Sequence, residues 1–191
     1  MGVLSARGPA VVLETDRLRL RPWRVEEAPV QRQLWAERDP RVPAHRRIDI
    51  AGRPTLEDVE AWVRDGVRPP GRGLLAVEVV ATAEVVGYCG LIDGDAGPED
   101  EPELAFELLR RTWGRGYATE AARAVLGWAR ESGCPRVWAT VRDWNAASLR
   151  VLAKVGFVES GRVEADAAHG DSLYLVTDLA TGLGADTDGS A

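Results

Sequence analysis

The stretch ELAFELLRRTWGRGYATE, residues 103–120, contains a strand pattern, a glycine turn and the start of a helix. Residues 103–109 form a short, mostly apolar run of the kind that favours a β-strand. Gly114 and Gly116 then stand where the chain must turn sharply before a long helical pattern. PRVWATV, residues 135–141, is the next strand pattern. The stretch therefore predicts a strand, turn, helix and strand unit.

Strand and helix patterns alternate through the rest of the chain. Further strands are predicted at 18–21, 74–81, 85–91, 157–162 and 172–179, and further helices at 25–38, 55–65 and 148–155. This order predicts an α/β (α+β) fold with a mixed central sheet of about six or seven strands and about four helices. One domain is expected over residues 13–179, with flexible tails at 1–12 and 180–191.

Composition excludes several classes of protein. The 191 residues include 24 Lys and Arg against 30 Asp and Glu, a net charge of −6, which argues against a nucleic-acid partner. No run reaches the roughly 18 apolar residues of a membrane span. With only two cysteines, a reducing, cytoplasmic location is expected. His45 and His169 lie far apart without ligand spacing, so no metal site is expected.

The glycine turn has the features of a phosphate site. The first amides of a helix lack partners within it, and glycine removes the Cβ atom that would keep an anion away. Arg115 adds a positive charge beside the turn. A Walker loop is absent, and Thr119 stands where a dinucleotide fingerprint needs its third glycine. A purely structural turn is the alternative interpretation at this point.

Two segments together carry a resemblance to a known family. PELAFELLRRTWGRGYATEAARAVLGWA, followed by VRDWNAASLRVLAKVGFVESGR, resembles the GNAT superfamily of acyl-CoA-dependent N-acyltransferases. It is most similar to the branch of ribosomal-protein-alanine N-acetyltransferases, and the resemblance covers 13–179. In the better register of the family's pyrophosphate loop, Trp113 takes the place of its usual Gln or Arg and is followed by Gly116 and Ala118.

The resemblance implies acetyl-CoA as acyl donor, without a metal. It implies that the sheet splays between 103–109 and 135–141 and that the pantetheine arm lies in the gap. The residues that would contact acetyl-CoA are Phe106, Glu107, Leu108, Gly114, Arg115, Gly116, Tyr117, Ala118, Thr119, Asn145 and Ser148.

Three side chains are candidates for the chemistry. The family counterpart of Glu103 often accepts the amine proton, and Glu107, of the same strand parity in an apolar run, is the second candidate. A buried Glu107 would be costly unless paired or functional, and a register that turns it outward is the alternative. Ser148 is the candidate general acid, because Leu152 stands where many members have a tyrosine. Asn145 and Ser148 are also preferred helix caps.

The expected acceptor is a primary amine, either a protein N-terminus or a small molecule. Aminoglycoside or polyamine acceptors, succinyl-CoA as donor, and a non-catalytic acyl-CoA sensor are the alternatives. Trp35 and Trp62, on the two early helices, are candidates for the acceptor groove, with core packing as their default role. No membrane partner is expected, and either a monomer or a homodimer is compatible with the strand edges.

Overall fold

One mixed sheet with helices on both faces forms the molecule, which is described by a computed structural model over residues 12–65, 73–98 and 101–180. Within these ranges there are eight strands and four α-helices. The strands are β1 (Leu13–Glu14), β2 (Leu18–Arg21), β3 (Gly73–Val79), β4 (Glu84–Ile92), β5 (Glu103–Leu108), β6 (Arg136–Arg142), β7 (Val158–Glu164) and β8 (Ser172–Asp178). The helices are α1 (Ala28–Glu37), α2 (Leu56–Asp65), α3 (Tyr117–Glu131) and α4 (Ala146–Lys154).

The mixed α/β (α+β) sheet is confirmed, with a strand more than predicted. Its order is β1-β2-β3-β4-β5-β6-β8-β7, and the β5–β6 pair is parallel whereas its other pairs are antiparallel. The additional strand is β1, whose two residues are too few to show an alternating pattern. The tails predicted at 1–12 and 180–191 lie outside the described residues, except for Val12 and Ala180.

The helix predicted over 25–38 divides into a 3₁₀ turn, Val25–Glu27, and α1. Pro29 lies in the first turn of α1 and has no backbone N–H. It therefore cannot donate the hydrogen bond to the Val25 carbonyl that would make one continuous helix.

The core lies mainly between α3 and the sheet. Ala121, Ala122, Val125, Leu126 and Ala129 of α3 are buried, and their spacing forms one apolar stripe along the helix. This stripe packs on β4 and β5. The glycine turn therefore begins a helix whose position is fixed by the strand that precedes it.

The sheet splays between β5 and β6, as predicted. The two strands share a single register pair, Glu103 with Trp138, and the Trp138 N–H donates to the Pro102 carbonyl at 2.9 Å. Two residues further along β6, the Thr140 N–H donates to a Glu103 carboxylate oxygen at 2.9 Å rather than to the main chain of β5. A wedge-shaped gap therefore opens toward the carboxyl ends of the two strands.

Candidate active site

The glycine turn presents unpaired helix amides. Gly114 and Gly116 have φ angles of +76° and +81°, a left-handed region that costs a residue with a side chain about 1–2 kcal/mol. Gly116 is the N-cap of α3, and the first helical bond joins the Glu120 N–H to the Gly116 carbonyl at 3.0 Å. The N–H groups of residues 117–119 therefore have no hydrogen-bond partner within the helix. Gly116, the N-cap residue, has no side chain that could accept from them. The arrangement can bind an anion.

Two residues of the connection between β1 and β2 hold this turn in place. The Glu120 carboxylate accepts hydrogen bonds from Thr15 Oγ1 at 2.6 Å and Arg17 Nε at 2.7 Å. Arg17 Nη1 also donates to the Arg115 carbonyl at 3.1 Å. Burial would raise the pKa of Glu120, but the hydrogen bonds from Thr15 and Arg17 lower it below its usual value. Glu120 therefore stays ionised and bonded to Thr15 and Arg17.

A surface groove of about 720 Å³ touches the turn at Gly116 and Thr119. Its lining includes two basic residues, Arg123 and Lys154, and three acidic ones, Glu14, Asp16 and Glu120. None of the residues predicted for catalysis lies in its lining. The groove is therefore distinct from the gap between β5 and β6.

The main chain at the end of β5 alternates between β4 and the gap. The Leu109 N–H donates to the Val86 carbonyl of β4, so by antiparallel alternation Glu107 also turns its main-chain groups to β4. Phe106 and Leu108 turn theirs toward the gap. Of the three β5 residues predicted to contact the donor, these two present backbone groups to the gap, and Glu107 does not.

Trp113, in place of the family's usual Gln or Arg, folds back onto this strand. Its Nε1 donates to the Leu108 carbonyl at 2.7 Å, and 56% of the residue is exposed. The bond ties the start of the turn to the end of β5. The Leu108 carbonyl is thus engaged, and the Leu108 N–H faces the gap.

Glu103 lies at the closed end of the wedge, beneath the loop at 93–98. A Cβ atom added to Gly94 would lie 2.4 Å from Glu103 Oε2 and 3.0 Å from Glu103 Cβ, so a side chain at position 94 would displace that of Glu103. Arg162 holds the loop through its Nη1, which donates to the carbonyls of Asp95 and Ala96 at 3.1 and 3.0 Å. The Glu103 carboxylate is thereby fixed against the Thr140 N–H.

Glu107 is paired with a cation from α1. Arg38 Nε and Nη2 donate to both carboxylate oxygens at distances from 2.7 to 3.1 Å, and the Tyr88 hydroxyl donates at 2.9 Å. Burial would lower the pKa of Arg38, but Glu107 raises it above its usual value. Burial, with the nearby charge of Glu107, raises the pKa of Tyr88. The outward orientation considered for Glu107 is therefore not the one that the structure shows.

Trp35 lies against this ion pair, and Trp62 packs on Trp35. The Arg38 guanidinium stacks over the Trp35 ring at 4.2 Å, and the Trp35 and Trp62 ring centroids are 5.8 Å apart. Trp62 is 49% exposed, so α2 presents an aromatic surface beside α1.

Asn145 caps α4, in agreement with its residue type. Its Oδ1 accepts the Ser148 N–H at 3.1 Å. Ser148 is half-buried in the first turn of the same helix. The cap therefore fixes the backbone that carries the candidate acid.

Replacing Asn145 with alanine is expected to lower the free energy of unfolding by about 1 kcal/mol, because the cap is lost. Urea unfolding followed by circular dichroism measures the change. Asn145→Asp keeps the accepting oxygen and should retain most of the stability. Ser148→Ala is the matched control, since it keeps the N–H that the cap binds, and an equal loss in this variant would contradict the assignment.

Two features are absent from residues 12–65, 73–98 and 101–180. Among them, no group of three or more His, Cys, Asp or Glu side chains could hold a metal ion. No helix in the same ranges is long and apolar enough to cross a membrane. Cys89 is fully buried, and burial raises the pKa of its thiol, in keeping with the predicted core role.

An anion cradle beside a gap in a sheet, with two carboxylates on β5, suits a group-transfer enzyme. Residues 17–158 match a family model described as an acetyltransferase (GNAT) domain. The chain belongs to this family and is an N-acetyltransferase. The family in general takes its acetyl group from acetyl-CoA.

Relatives and solved structures agree with this assignment. The chain is 30% identical over 156 residues to the uncharacterized N-acetyltransferase p20 of Bacillus licheniformis, covering 78% of this chain and 83% of that protein. A GNAT-family acetyltransferase structure from Bacillus anthracis has a TM-score of 0.72 at 22% identity, covering 88% and 99% of the two chains. The ribosomal-protein-S5-alanine acetyltransferase of Vibrio fischeri has a TM-score of 0.60 at 16% identity, covering 90% and 98%. The two structures show a shared fold.

Proposed function

We propose that this protein transfers an acetyl group from acetyl-CoA to a primary amine by direct attack in a ternary complex. The acceptor we propose is a protein N-terminus or a small-molecule amine. The observation that carries the proposal is the uncapped start of α3 beside the gap between β5 and β6. An amide-rich arm can bind in such a gap as an added strand would, while its phosphates meet the helix amides.

The residues of the turn fit a pyrophosphate. A Cβ atom added to Gly114 would meet nothing within 4 Å, so the turn is open to a ligand on that side. The exposed Arg115 supplies a positive charge at the same place. The residues that we propose for this contact are Gly114, Arg115, Gly116, Tyr117, Ala118 and Thr119, and those proposed along the arm are Phe106, Leu108, Asn145 and Ser148. Glu107, expected there from the sequence, instead turns its main chain to β4 and its side chain to Arg38.

In the proposed mechanism, Glu103 accepts the proton of the attacking amine through a chain of water molecules, because the two ends of β5 are about 16 Å apart. The Thr140 N–H holds this carboxylate at the gap without neutralising it, whereas Arg38 neutralises Glu107. The Leu108 N–H, facing the gap, stabilises the charge that develops on the thioester oxygen. Ser148 donates its hydroxyl proton to the leaving sulfur and regains one from water.

Replacing Ser148 with alanine is expected to lower kcat at least about tenfold, because the leaving thiolate loses its proton donor. The dissociation constant of acetyl-CoA should stay nearly constant, since the Asn145 cap is kept. Thiol release at saturating amine measures kcat, and calorimetry measures binding. Ser132→Ala, at the far end of α3, is the matched control. Wild-type kcat in the Ser148 variant would exclude Ser148 as the acid.

The acceptor is identified by mass spectrometry on mixtures with acetyl-CoA. Peptides with free N-termini, polyamines and aminoglycosides are offered in parallel, and both the added mass and its site are read. Parallel reactions with succinyl-CoA in place of acetyl-CoA test which acyl donor the protein uses. Tight binding of acetyl-CoA without transfer to any amine would overturn the proposal and favour a sensor. A cytoplasmic location and a monomeric or homodimeric state stay predictions, with β1 and β7 as the sheet edges.

A further inference from the structure

The end of α1 is bonded to the end of β5 at two neighbouring points. Arg38, the C-cap of α1, holds both oxygens of Glu107. One residue earlier, a Glu37 carboxylate oxygen accepts the Arg110 N–H at 2.7 Å, and the Glu37 carbonyl accepts Arg110 Nε at 2.9 Å. The two contacts flank Leu108, whose N–H faces the gap.

We propose that Arg38 is a positioning residue, which sets the amine-side helix α1 at a fixed distance from the strand end that presents the Leu108 N–H. The proposal rests on the proposed function, because it assigns the amine to the α1–α2 side and the thioester to the end of β5. Arg38 touches neither reactant and acts through Glu107.

The geometry requires an arginine at this position. The side chain is 12% exposed and that of Glu107 is 23% exposed, so water contributes little to solvating the pair. Two guanidinium nitrogens bind Glu107, and a third, Nη1, donates to the Arg46 carbonyl at 2.8 Å. The planar fork also stacks on Trp35. A lysine ammonium would keep the charge but could not make this bidentate and stacked set of contacts.

The pair also accounts for a carboxylate in an apolar strand. Glu107 alternates with Phe106 and Leu108, so its side chain points to the α1 face while theirs point to α3. Its two oxygens are bonded to Arg38 and to the Tyr88 hydroxyl. A carboxylate held in this way is a structural anchor for α1, which leaves Glu103 as the carboxylate for proton transfer.

A shift of α1 against β5 should affect the transfer step more than donor binding. Displacing reacting groups by about 1 Å can cost about a hundredfold in rate. The anion cradle lies on α3 and is anchored separately by Arg17 and Glu120. Loosening the Arg38 contact therefore leaves the cradle in place.

The experiment compares Arg38→Gln, Arg38→Lys, Glu107→Gln and the double variant Arg38→Gln/Glu107→Gln with the wild type. We expect kcat per acetyl-CoA-binding site to fall about tenfold or more in Arg38→Gln, with the acetyl-CoA dissociation constant changed less than about twofold. The kcat of Arg38→Lys should lie between that of the wild type and that of Arg38→Gln. The double variant should regain part of the rate, because no unpaired carboxylate is left and two amides can bond to each other.

Arg19→Gln is the matched control, since Arg19 lies on β2, three strands from β5, and pairs with Glu14 at 2.9 Å and with Glu78 at 3.5 Å. Amide hydrogen exchange provides a second measurement that does not depend on turnover. In Arg38→Gln, exchange should rise together at the end of α1 and at 106–110, and stay unchanged in α3. Counting binding sites by acetyl-CoA titration separates a loss of folded protein from a loss of rate.

Two outcomes would overturn the proposal: an unchanged kcat per binding site in Arg38→Gln, or faster exchange confined to α1. Failure of the proposed function would look different, since wild-type protein would then acetylate no amine. In that case the exchange experiment still decides whether Arg38 couples α1 to β5.

Discussion

Replacing Gly116 with valine should weaken acetyl-CoA binding at least about tenfold, as expected for the loss of a hydrogen bond to a charged group. Gly116 has a φ of +81° and is the residue from which α3 begins. A β-branched side chain disfavours this conformation by about 1–3 kcal/mol, so the turn would relax and move the amides of 117–119. Calorimetry with acetyl-CoA measures the affinity.

Gly133→Val is the matched control for backbone strain. Gly133 lies just beyond the other end of α3 with a φ of +79°, and an added Cβ atom there would meet nothing within 4 Å. The two variants should lose similar stability in urea unfolding, but Gly133→Val should bind acetyl-CoA as the wild type does. An unchanged affinity in Gly116→Val would show that the anion site is not at this turn.

The local parts of the fold could be predicted from the sequence because their signals lie close together. The β5–turn–α3–β6 unit was predicted from one stretch, since two glycines between a strand pattern and a helix pattern leave few alternatives. β1 was not predicted, because two residues are too few to show the alternation of apolar and polar side chains that indicates a strand. The break between the 3₁₀ turn and α1 could have been predicted from the sequence, because Pro29 has no N–H to donate to the Val25 carbonyl.

The contacts that fix the site depend on partners far apart in the chain. Arg17 is 103 residues from Glu120, and Arg38 is 69 residues from Glu107. In a chain with 24 basic residues, no spacing distinguishes these two arginines from the others. One signal was present, because a carboxylate at 107 in an apolar strand requires a partner. The sequence thus indicated that a cation was needed without showing which one.

Replacing Glu103 with glutamine should lower kcat about a hundredfold or more, the usual contribution of a general base. The amide oxygen of glutamine can still accept the Thr140 N–H, so the closed end of the wedge keeps its hydrogen bond. Acetyl-CoA affinity and the free energy of unfolding should therefore change little. Initial rates of thiol release at saturating amine measure the loss.

Two further variants separate the proton-accepting role of Glu103 from its structural role. Glu103→Ala removes both the base and the acceptor of the Thr140 N–H, so it should lose rate and, because one intramolecular hydrogen bond of an exposed donor is lost to water, only a little stability. Glu107→Gln tests the other carboxylate, which Arg38 already neutralises, and its loss of rate should be smaller than that of Glu103→Gln. If Glu107→Gln had the larger effect on kcat at unchanged acetyl-CoA affinity, the base would be Glu107. The amine would then have to approach through the contact between α1 and β5, because Arg38 would need to release the carboxylate before it could accept a proton.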